Sequence, residues 1–79
     1  MAETIEYYEN IIAGIYEKIG NHEPLRPREK IDFYVANQQI CLIKCNLETN
    51  MNLRNQYLRL ADENSGKAIR LEKRFGIRG

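Results

Sequence analysis

Apolar residues recur near the start of the chain at Ile5, Tyr8, Ile12, Ile15 and Ile19, in steps of 3, 4, 3 and 4. That rhythm traces one face of an amphipathic helix and predicts a helix over residues 2–19. Glu6 and Glu9 suit the positive end of its dipole, and Lys18 suits the negative end. Gly20 and Asn21 both adopt positive φ cheaply, so the helix is expected to stop at Ile19. Tyr7, Ile11 and Tyr16 read as a second apolar strip, making a face wider than one small partner helix would cover.

A loop is expected over residues 20–26, with Pro27 opening the next helix, where its missing N–H costs nothing. Phe33, Ala36, Ile40, Ile43 and Leu47 then repeat the helical spacing. Ile31, Tyr34 or Val35, Gln38 and Leu42 make a neighbouring strip. A helix over 27–48 that is apolar on more than one side is expected to be central, with neighbours on both flanks. Gln38 and Gln39 are candidates for buried amides that fix helix register.

Thr49-Asn50-Met51-Asn52 groups weak helix formers, and the apolar phase slips there. This predicts a break, with Thr49 or Asn50 capping a third helix over 51–64; one continuous helix from Pro27 to Asn64 is the alternative. Asn64-Ser65-Gly66 is expected to end that helix, and Ala68, Leu71 and Phe75 mark a short basic helix over 67–75, closed by Gly76. One Val and little strict alternation leave no strand signal. The expected fold is all-α: one domain over 1–79, a small bundle of three to four helices with a long central one.

Composition narrows the function classes. The 79 residues are 43% hydrophobic and 29% charged with a formal net charge of +1, which excludes an acidic disordered tail, a collagen-like repeat and a histone-like protein. A chain this short makes a thin core, and a second copy is one usual remedy. The longest uncharged run, Phe33 to Ile43, has eleven residues, short of the ~18 that a membrane span needs. Glu3, Glu6 and Glu9 stand where a secretory signal would be basic and then apolar. The expectation is a cytoplasmic protein with no membrane partner.

Cys41 and Cys45 stand four apart, close on a helix but poorly placed for a mutual disulfide. A zinc site needs about four ligands, and the one histidine, His22, falls in the expected loop. Free thiols, no metal and no cofactor are expected. No phosphate loop, nucleophile elbow or paired-histidine motif occurs, and Ser65, the one serine, suits capping. An enzyme is not expected.

Charge is unevenly spread. Residues 1–25 carry five Glu against Lys18, and residues 51–79 carry seven Lys or Arg against three acids. The acidic start and basic end are expected to attract, within one chain or between copies. Lys67, Arg70, Lys73 and Arg74 form a candidate anion-binding cluster. Tyr7, Tyr8, Ile12 and Tyr16 are the candidate interface, with Tyr8 also fitting a core position. The near-neutral total argues against a nucleic-acid partner. The reading is a small helical interaction protein, an adaptor or inhibitor that occupies a partner surface and associates with itself. Its alternative is a module that sequesters a nucleotide or other phosphate-bearing anion through Tyr and Arg or Lys side chains. Small accessory proteins of phages and mobile elements work in both ways, an analogy of size and style.

Overall fold

A computed structural model describes residues 4–76, and among them the chain is all-α with no strand. Helix α1 spans Ile5–Gly20, α2 Pro27–Leu47 and α3 Met51–Phe75. Glu3 and Arg78, both in the charge tally, lie outside the described residues, as does the start of the helix expected from residue 2.

Thr4 caps α1, its hydroxyl oxygen accepting the Tyr7 N–H at 3.3 Å. The other end of α1 corrects the sequence reading. Gly20 stays helical, and the residue with positive φ is His22, at 58°. The Glu23 N–H reaches the Lys18 carbonyl at 2.9 Å and the His22 N–H reaches Ile19 at 3.1 Å, the paired bonds of a Schellman closure. Gly20 and Asn21 serve as the last helical residue and the cap, so the left-handed position of that closure falls one residue further, at His22.

Pro27 occupies the first turn of α2, where Glu29 Oε1 accepts the Arg26 N–H at 3.0 Å. The break between α2 and α3 falls at residues 48–50. Glu48 Oε1 accepts the Thr49 and Asn50 N–H groups, and Asn50 Oδ1 accepts those of Asn52 at 2.9 Å and Leu53 at 3.2 Å. Asn50 is therefore the cap of α3, with its amide taking up donors that a helix start otherwise leaves open.

The expected stop at Asn64-Ser65-Gly66 does not occur, and what the sequence divides into two helices is one. Asn64 Nδ2 donates to the Leu60 carbonyl at 2.8 Å, so its side chain bonds back onto the helix instead of competing with it. Ala61 and Ala68, both buried, stand one heptad apart on either side of the weak triplet. Packing of that small-residue face outweighs the local preference of three residues.

The helices run up, down and up. Ile5 and Ile43 pack on the same cluster as Tyr8, Ala36 and Ile40, while Lys18 meets Glu29. Along the other seam Lys67 lies over Tyr34, and Lys30 lies over Phe75. Helix α2 packs on both neighbours, more extensively on α3, whereas α1 and α3 make no contact among the described residues. The expected central helix is present, but α3 does not fold back over α1. The acidic and basic helices are held apart on opposite sides of α2, so their attraction goes unused within one chain.

Candidate functional site

Large side chains in the core are few. Tyr8, Ile15, Ile31 and Ile40 are buried; the remaining buried positions are Ala36, Cys45, Ala61 and Ala68. Among the described residues ten large apolar side chains are exposed, six of them on α3: Met51, Leu53, Leu58, Leu60, Ile69 and Phe75. More large apolar side chains face water than are enclosed, which makes these surfaces the candidate site.

Helical geometry explains the excess. Each residue advances about 100° around the axis, so Ala61 and Ala68 define the line along which α3 meets α2. Leu53 and Leu60 fall on one flank of that line and Met51, Leu58 and Ile69 on the other. Alanines at the seam bring the two backbones close, and the bulky residues splay to either side. Lys67 and Arg74 border the side of the Leu53–Leu60 row, Arg70 points directly away from the seam, and Lys73 falls toward the opposite flank.

The same geometry separates the expected interface residues. Tyr7 and Tyr16 lie roughly 180° apart around α1, on opposite flanks of its buried line, and do not form one strip. Tyr7 is exposed and touches Tyr8 edge-on at 5.0 Å between ring centroids. Tyr8 is 7% exposed, in the α1–α2 core, and its ring is withdrawn from any partner. Ile12 is half-buried against the same cluster. Tyr16 is 58% exposed and meets Phe33 edge-on at 5.8 Å. Gln38 and Gln39 are half-buried, so neither is an enclosed amide.

Beside Tyr16 is a cluster that sequence reasoning missed. Phe33 meets Tyr34 edge-on at 5.3 Å, extending the row that starts at Tyr16. Lys67 Nζ stands 5.6 Å from the Tyr34 ring centre, and Lys30 Nζ and the Arg74 guanidinium stand 5.9 and 5.8 Å from that of Phe75. A notch of about 190 Å³ opens here, lined by Tyr16, Ile19, Leu25, Phe33 and Tyr34 with Lys30 at its edge. The adjacent aromatics Phe33-Tyr34 were the available signal. Their meeting with the end of α3 depends on α3 being one unbroken helix.

The chemistry of the chain is otherwise plain. Burial pushes the Cys41 thiol up and keeps it protonated, and Cys45 is buried; both are free cysteines. Among the described residues no group of three His, Cys, Asp or Glu is arranged to hold a metal, and no helix is long and apolar enough to cross a membrane. Ion pairs link Lys18 to Glu29 and Arg28 to Asp32, the latter at 3.2 Å. Comparison with protein-family models, curated proteins and solved structures finds no match to this chain.

Proposed function

We propose that this chain is a small helical interaction protein, without enzymatic activity, that works by occupying an apolar surface and associates with itself. One observation carries the reading: α3 seats on α2 through Ala61 and Ala68 and leaves Met51, Leu53, Leu58, Leu60 and Ile69 exposed. A soluble protein rarely leaves that much apolar surface unpartnered. Sedimentation equilibrium across a tenfold range of micromolar concentrations tests it. A mass rising above the 9.3 kDa of one chain supports self-association, and a constant 9.3 kDa overturns it.

The aromatic notch favours a second reading, capture of a phosphate-bearing aromatic ligand such as a nucleotide. Rings of Tyr16, Phe33 and Tyr34 offer stacking faces, and Lys30 and Lys67 offer cations beside them. A ligand at 100 times its dissociation constant adds ~2.7 kcal/mol of stability. A scan of melting temperature against nucleotides therefore supports this reading if one shifts the transition, and removes it if none does.

A further inference from the structure

Resting on the self-association reading, the geometry points to a specific mode: we infer that a second copy lays its acidic α1 on the basic α3, reciprocally, about a twofold axis running along the helices. Three observations lead there. The first is opposite charge. Helix α1 carries Glu6, Glu9 and Glu17 against Lys18, a net −2, and α3 carries six cations against three acids, a net +3. The second is separation, since α1 and α3 flank α2 without touching and neither charge is answered by the other within the chain. Lys18 and Glu29 do pair, but across the α1–α2 seam.

The third is level. Lys18 sits beside Glu29 and Phe75 beside Lys30, so α1 and α3 end at the same end of the molecule and run parallel. A twofold axis along the helix direction keeps every residue at its own height and exchanges the two flanks of α2. It therefore sets α1 of one copy over α3 of the other. Counting back from those end contacts, Glu17 comes level with Arg74 and Glu9 with the turn that holds Lys67. The flank of α1 carrying Ile12 and Tyr16 then comes level with Leu71 and Phe75 on the side of α3 that Lys67 and Arg74 border, and the Leu53–Leu60 row lies beyond the start of α1. Both copies give and receive the same contact, so the arrangement closes at two. Helices α1 and α3, which each pack on α2 alone, gain in this way a second neighbour.

Charge exchange tests the mode. Two variants are made in the full chain: Glu6→Lys, Glu9→Lys, Glu17→Lys, and Lys67→Glu, Arg70→Glu, Arg74→Glu. All six side chains are exposed, and circular dichroism verifies that each variant keeps its helicity. Each variant alone places like charges against each other and is expected to raise the dimer dissociation constant by about tenfold or more. Mixed, the two put their altered helices together with signs exchanged, and a mixed dimer is expected to form, weakening as salt is added. If the unaltered chain dimerises and both variants dimerise equally well alone, this mode is overturned while self-association stands. The same holds if the variants are monomeric and mixing restores nothing. An unaltered chain that stays monomeric overturns both.

Discussion

Lys18 Nζ donates to Glu29 Oε2 across the α1–α2 seam, while the other oxygen of the same carboxylate accepts the Arg26 N–H. One side chain thus closes the first turn of α2 and fastens the end of α1 to it. The neighbouring ammonium and the Arg26 N–H hold the Glu29 carboxyl below the ordinary glutamate range. Because the folded form binds its proton less readily than the unfolded form, the contribution is complete above the unfolded pKa and fades as pH falls through the folded one. Urea titrations of the native chain and of Glu29→Gln across the acidic range check this. The difference in midpoint should be present at neutral pH and shrink in acid, and it should be small, because the pair is only partly buried and water screens it.

His22 holds a left-handed conformation that an L side chain enters at a cost of about 1–2 kcal/mol. Glycine enters it freely but loses more freedom on folding. His22→Gly is therefore expected to stabilise the chain by about 0.5–1 kcal/mol net, visible as a higher urea midpoint with unchanged slope. His22→Val should lower it.

Gly66 lies inside α3 with ordinary helical backbone, and a Cβ built there meets only the far end of Arg70, at 3.9 Å. Alanine should fit and stabilise the helix by about 0.5–1 kcal/mol. A chain broken at Asn64-Ser65-Gly66 would respond the other way, so a drop in melting temperature for Gly66→Ala would contradict the continuous α3.

The seam between α2 and α3 should tolerate no growth. Ala61→Leu or Ala68→Leu forces extra carbons between two close backbones and is expected to cost about 1–3 kcal/mol. Ile31, 1% exposed, is the largest side chain fully enclosed, and Ile31→Ala should cost about 2–5 kcal/mol. Leu58→Ala and Ile69→Ala, out on the flank, should cost the isolated chain far less. If those two instead destabilise the protein increasingly as its concentration rises, the flank is buried by association.

What the sequence determined by itself is the all-α class, the central place of α2 and the break before Met51. These follow from short-range causes: apolar spacing, a proline at a helix start, and an asparagine able to accept the first N–H groups of α3. Local chemistry misled at two places. Gly20 and Asn21 looked like the positive-φ residues that close α1, yet Gly20 is its last helical residue and the positive φ falls at His22. Asn64-Ser65-Gly66 looked like a stop, yet Ala61 and Ala68 gain more from packing on α2 than the triplet loses by staying helical. Only the tertiary structure decided where the third helix goes. Whether it lies on α1, on α2, or between them turns on which faces approach most closely, and two alanines a heptad apart look unremarkable in a sequence. Seated on α2, they fix α3 far from α1, expose the leucines, and leave two helices of opposite charge facing outward on opposite sides of the molecule.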